Sequence, residues 1–180
     1  MGRKKKIEIP PDDYFINIAT DIADNYHERK QHLEKLQESI DNFHDYSIKE
    51  YIYFKFLRGV SYGDKVQTSG VSDLVGDFSI TCQEDLDSFN KKLRLDLSWE
   101  FNELSSKLKA FDEGMDMLEG RVAVVARQLF IEQRSWKTIV DERGRHLHRE
   151  QIRRAKAEPI NRIAACLQID SDKRLISMLG

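Results

Sequence analysis

Proline is scarce in this sequence, three residues in 180, and cysteine is scarcer, at two. Few prolines and a charged fraction of 33% favour exposed helices over a sheet sandwich. Cys82 and Cys166 stand too far apart for a metal-ligand or redox spacing. Two lone thiols suit a reducing compartment, where a buried cysteine acts as a small apolar residue. No run of ~18 apolar residues occurs, which excludes a membrane-spanning helix. The basic start Met1-Gly2-Arg3-Lys4-Lys5-Lys6 leads into Ile7-Glu8-Ile9-Pro10-Pro11 without the apolar segment of a secretory signal. A cytoplasmic protein with no membrane contact is expected. Glycine-rich phosphate loops, nucleophile elbows and other catalytic motifs are also missing. His146 and His148 have no cysteine or carboxylate cluster to complete a four-ligand metal set. The expectation is a binding protein, neither an enzyme nor dependent on a metal or cofactor.

Charge is present in quantity but unevenly placed. The net charge of −2 conceals four basic residues at 1–6, then 24 acidic and 12 basic residues over 7–120. Residues 121–162 reverse the balance, with 11 basic and 5 acidic side chains. Such asymmetry points to an electrostatic partner at the basic end. Clustered Lys and Arg can neutralise phosphates and release their counterions.

From Asp12 onward, Phe15, Ile18, Ile22, Tyr26, Leu33, Leu36, Ile40 and Phe43 follow steps of three and four, interrupted only at Arg29. This predicts one helix. Residues 47–57 are rich enough in aromatic and β-branched side chains for a strand, but their neighbours favour helix. Residues 58–70, with three glycines, predict a loop. The longest stripe comes next: Leu74, Phe78, Cys82, Leu86, Phe89, Leu93, Leu97, Phe101, Leu104, Leu108 and Phe111. Its narrow seam needs a partner, either the first helix folded back antiparallel or a second copy of the chain. Gly114 and Gly120, each weakening a helix by ~1 kcal/mol relative to alanine, predict a flexible joint over 111–120. The expected organisation is a flexible basic arm (1–11), an acidic coiled-coil-like helical hairpin or oligomerisation region (12–113), a second domain (114–170) and a tail (171–180).

In the second domain, Leu118, Val122, Val125 and Leu129 mark a short buried helix. Ser135 suits the N-cap of another, with Trp136, Ile139 and Val140 on its core face and Gly144 ending it. A third helix follows after a long turn. Ile152, Ala155, Ile160 and Ile163 face inward, Arg149, Glu150, Arg153, Arg154 and Lys156 face outward, and Pro159 should kink or split it. The fold class expected is all-α, a long helical hairpin followed by a three-helix helix-turn-helix with its recognition helix third.

Ser135-Trp136, Ile139-Val140, Gly144, Ile152, Ile160 and Ile163 together resemble sigma-70 region 4, and Arg127-Gln128-Leu129-Phe130-Ile131 is similar to the end of that family's preceding helix. Asp64-Lys65-Val66-Gln67-Thr68-Ser69 with Asp73 resembles a loop between two long helices. That loop occurs in phage and mobile-element regulators of Gram-positive bacteria related to the ArpU and RinA late-gene activators. The resemblance implies a transcriptional regulator that binds double-stranded DNA, touches RNA polymerase, and dimerises through the helical stalk. Two other readings fit a helix-turn-helix on oligomerising helices: a small-terminase-like packaging protein, and a polymerase-binding adaptor that touches no DNA. On a recognition helix, Arg149 and Arg153 suit guanine, Glu150 suits cytosine N4, and Gln151 suits adenine. Lys137, Arg145, Arg154 and Lys156 are placed to contact phosphates.

Overall fold

The computed structural model describes residues 10–57 and 74–179. Most of the basic arm, and the glycine loop with Val66-Gln67-Thr68-Ser69 and Asp73, lie outside the described residues. The chain is all-α: α1 (Asp13–Asp24), α2 (Tyr26–Asp41), α3 (Ile48–Leu57), α4 (Leu74–Asp116), α5 (Gly120–Ala126) and α6 (Arg149–Leu179). A π turn (Arg127–Ile131) continues α5, and a 3-10 turn (Trp136–Thr138) follows it. Among the described residues β pairing is confined to one bridge, Val140 with His146, and no helix is long and apolar enough to cross a membrane. The chain divides into two compact units, one of Met1–Glu34 with Asn102–Gly180 and one of Lys35–Phe101.

The single helix read from residue 12 onward is two helices. Asp12 caps the first, accepting the Tyr14 N–H at 3.0 Å. Asn25 ends it: its backbone leaves the helical region (φ −114°, ψ 22°). Its side-chain amide donates to the Asp21 carbonyl at 3.1 Å and to Asp21 Oδ1 at 2.9 Å. A short polar side chain that bonds its own backbone neighbourhood competes with helix continuation.

In the unit Lys35–Phe101, α3 is a helix because Ser47, just before it, and Glu50 form a capping box. Glu50 Oε2 accepts the Ser47 N–H at 2.8 Å and its hydroxyl at 2.7 Å. These bonds also hold the Glu50 carboxyl below its usual pKa. Tyr51 and Leu86 are buried together, with Tyr46 and Phe89 packed on them. The buried Asn90 braces the loop before α3, accepting the Tyr46 N–H at 2.9 Å and donating to its carbonyl at 3.1 Å. Arg94 pairs with Asp45 at 2.6 Å. This loop therefore runs antiparallel to α4.

In the other unit α6 is the spine. Ile160, Ile163, Ala164, Cys166 and Leu167 are all buried. Helix α1, the first part of the helix expected to fold back on the long stripe, packs along α6. Its start bonds Gln168 (Asp12 N–H to Oε1, 3.3 Å) and its end pairs with Lys156 (Asp24, 2.6 Å), so the two run antiparallel. The last turns of α4 are also antiparallel to α6, with Ser106 donating to Asp170 at 2.6 Å and Gly114 against Ile163. The expected joint at 111–120 is helical over more than half of its length. Helix α4 runs on to Asp116, and Gly114 is buried because a side chain there would meet α6. The connection to α5 is residues 117–119, and Gly120 opens α5 at φ +58°. Phe111, fully buried, stacks on Tyr26 with centroids 4.3 Å apart and meets Phe130 edge-on at 6.3 Å. Pro159 does not split α6. The helix is continuous through it, with the ring buried in the core, and it extends through the expected tail to Leu179.

Candidate nucleic-acid interface

The segment expected to be the second short helix is a different structure. Only Trp136–Thr138 turns, with the Ser135 carbonyl accepting from the Thr138 N–H and hydroxyl, both at 2.9 Å. Ile139 is already extended (φ −74°, ψ 131°), as suits a pair of β-branched residues. A miniature hairpin follows. The Leu147 N–H donates to the Ile139 carbonyl at 3.2 Å, and the Asp141 N–H to the Arg145 carbonyl at 2.9 Å. At the tip the Gly144 N–H donates to the Asp141 carbonyl at 2.9 Å, with Gly144 at φ +74°. This is a three-residue loop with glycine in the left-handed position. Trp136, expected in the core, is 50% exposed, and Lys137 Nζ lies 5.6 Å from its ring centroid.

Two buried polar side chains fix this hairpin. Gln128, in the π turn, donates from Nε2 to the Val140 carbonyl at 2.8 Å and accepts the Val140 N–H at 3.0 Å. Asp141 Oδ1 accepts the backbone N–H groups of Arg143 and Arg145, both at 2.9 Å. Its Oδ2 accepts the Arg145 guanidinium at 2.9 and 2.8 Å. The Arg145 backbone and side-chain bonds, chiefly, hold the Asp141 carboxyl down to about 2. Beneath the hairpin, Val125, Ile139, Leu147 and Ile152 form one core cluster with Leu129 and Ala155 packed against it. Hairpin base and first turns of α6 are therefore one body.

Acid should loosen this clasp. Because the folded-state pKa lies below the unfolded value, the clasp's contribution is complete above about pH 5 and lost as pH falls through about 4 towards 2. Urea midpoints measured against pH should show Asp141→Asn less stable than wild type at neutral pH, with the gap closing in that acid window. A gap of constant size across the window would contradict the assignment.

At the start of α6, His148 is the N-cap, and its N–H donates to Gln151 Oε1 at 3.0 Å. The Gln151 carbonyl thus accepts a capping bond. Arg149 is exposed and pairs with no other described residue. Glu150 takes the Arg153 guanidinium through two bonds, 2.9 and 2.8 Å, and Arg154 Nε at 3.2 Å. The bonds to Arg153 lower the Glu150 pKa and raise that of Arg153. The side chains of Arg153 and Arg154 remain 76% and 78% exposed.

No protein-family model, curated protein or solved structure matches this chain. Charge and geometry carry the functional reading. Arg149, Glu150, Arg153 and Arg154 come together on the first two turns of α6. Lys137 sits on the approach to the hairpin, and Arg145 in it is tied to Asp141. Lys156 is a structural tether: it pairs with Asp24 of α1 and lies 5.7 Å from the Phe130 ring. Sequence reasoning missed Gln128 and Asp141. The spacing Asp141-Glu142-Arg143-Gly144 carries a turn signal, aspartate first and glycine fourth. Gln128 carries none, because a glutamine in a helical run reads as a surface residue.

Proposed function

We propose that this chain is a sequence-specific DNA-binding transcriptional regulator of phage or mobile-element genes, working by binding alone, without catalysis or a cofactor. Residues 134–156 hold eight Lys or Arg against three carboxylates. The observation that carries the reading is the first two turns of α6. There the guanidinium groups of Arg149, Arg153 and Arg154 stand in solvent while Ile152 is buried on the opposite side. A rigid helix with a cationic outer face and a fixed inner face is what major-groove insertion requires.

On this reading, α5 and α6 are the first and third helices of a helix-turn-helix, and the hairpin replaces most of the second. Arg149 and Arg153 read base edges, and Glu150 holds the Arg153 fork in register while offering an acceptor to cytosine. Arg154 and Lys137 contact phosphates. Dimerisation through the helical stalk and contact with RNA polymerase complete the proposal, on the resemblance to late-gene activators.

Fluorescence anisotropy with a labelled mixed-sequence duplex tests it. Affinity should fall steeply between ~50 and ~200 mM salt, with a log–log slope of about −0.9 for each phosphate neutralised. Absence of binding at the lower salt, or binding indifferent to salt, would rule the reading out.

A further inference from the structure

We infer that the hairpin is a second DNA-contacting element, with Arg143 at its tip engaging a backbone phosphate beside the groove that α6 enters. This rests on the DNA-binding reading and assigns a residue outside the α6 set. Three features of the hairpin carry it.

The first is rigidity beyond what a connection needs. Three residues separate Asp141 from Arg145, yet the loop is held by a buried carboxylate that accepts four hydrogen bonds and by a buried carboxamide that clamps Val140. Surface loops ordinarily lack such support. Burying a carboxylate and an amide is favourable only when every partner is in place. The result is a tip with one fixed direction.

The second is continuity with α6. Leu147 and Ile139 at the hairpin base share a core with Ile152, and only His148 separates the hairpin from the helix. Arg145 and His146, at ~3.3 Å per extended residue, carry the loop roughly 7 Å from that base, and the Arg143 side chain extends beyond it. A B-DNA major groove is ~12 Å wide. With α6 in the groove, the long Arg143 side chain on that tip would span the remaining distance to the phosphates on its rim.

The third is the state of the charge. Arg145 is neutralised by Asp141, and Lys156 by Asp24. Arg143 has only its backbone N–H engaged, by Asp141 Oδ1, while its exposed side chain pairs with no described residue. An uncommitted guanidinium on a fixed tip suits a single anionic oxygen site, and the phosphodiester is the anion that α6 would already have brought alongside.

Salt titrations of the full chain on the same mixed-sequence duplex test this. Arg143→Ala should reduce the magnitude of the log–log salt slope by about 0.9, and Arg143→Lys should restore it. Lys109→Ala, on α4 beside Cys166 and Asp170, should leave the slope unchanged. The exposed Arg143 side chain forms no hydrogen bond or ion pair with a described residue, so circular dichroism should show all variants folded. Wild-type binding with an unaltered slope in Arg143→Ala would overturn the inference and leave the α6 reading standing. Absence of wild-type binding would overturn both.

Discussion

Gly114→Ala is expected to destabilise the protein by about 2 kcal/mol, although alanine is the better helix former. In a helix interior that exchange alone gains ~1 kcal/mol. Here a Cβ at position 114 would lie 2.7 Å from Ile163 Cγ1 and 2.8 Å from both the Cα and the backbone nitrogen of Ile163. The Cγ1 could swing aside, but the backbone atoms cannot move unless α6 moves. Ile163 is itself fully buried, so α6 cannot shift without disturbing the core on its other sides. Overpacking of this kind costs ~1–3 kcal/mol or more, and an obstacle made of backbone puts the cost at the upper end. The clash wins. For a chain of this size the midpoint of thermal unfolding should drop by roughly 4–8 °C, and a larger residue should prevent folding. A midpoint equal to wild type or above it would mean that α4 and α6 do not approach each other at this point.

Gln128→Leu should cost about 3 kcal/mol, concentrated in the hairpin. The substitution preserves volume and apolar packing but removes both bonds to Val140. It leaves an N–H and a carbonyl without partners beside the core, each costing ~1–3 kcal/mol. The loss should appear locally before it appears globally, because only the single bridge to His146 then fixes Val140. Hydrogen exchange makes this visible: the amides of Val140 and Asp141 should lose protection in the variant while α6 around Ile163 keeps it. Gln128→Glu should also destabilise, since it sets a carboxylate against the Val140 carbonyl. Unchanged protection at Val140 in Gln128→Leu would show that the clamp is dispensable.

Helix content was readable in the sequence because it depends on spacing. The run from Leu74 to Phe111 is helical in α4, and the inward set Ile152, Ile160 and Ile163 is buried in α6. What spacing does not encode is the partner. The same apolar stripe on residues 15–22 serves equally well against α4 or α6, and α1 lies on α6. The choice between strand and helix for residues 47–57 was decided by a local signal that hydrophobic density obscures, the Ser47–Glu50 capping box.

The two glycines most open to misreading fail for opposite reasons. Gly144 does mark a left-handed position, but a glycine there suits a hairpin tip as well as a helix end, and the extended pair Ile139-Val140 tips the balance to the hairpin. Gly114 looks like a hinge and is a close-packing point, which no single-chain pattern reveals. Pro159 removes one backbone donor and crowds the preceding turn, and α6 accommodates it with the ring buried in the core.

For the interface, the basic segment and the outward arginines of α6 were legible from composition and period. Which cations are already spent was not. The pairs Arg145–Asp141 and Lys156–Asp24 depend on a turn four residues long and on a helix 132 positions away.

The most direct test of the central claim is selection of bound sequences from a random duplex library by wild type, Arg149→Ala and Arg153→Ala. Wild type should enrich a short motif containing guanine. Each variant should lose preference at its own position, by about 1–3 kcal/mol, while keeping the rest. A library returned without enrichment, or identical motifs from all three proteins, would contradict the assignment of α6 as the reading helix.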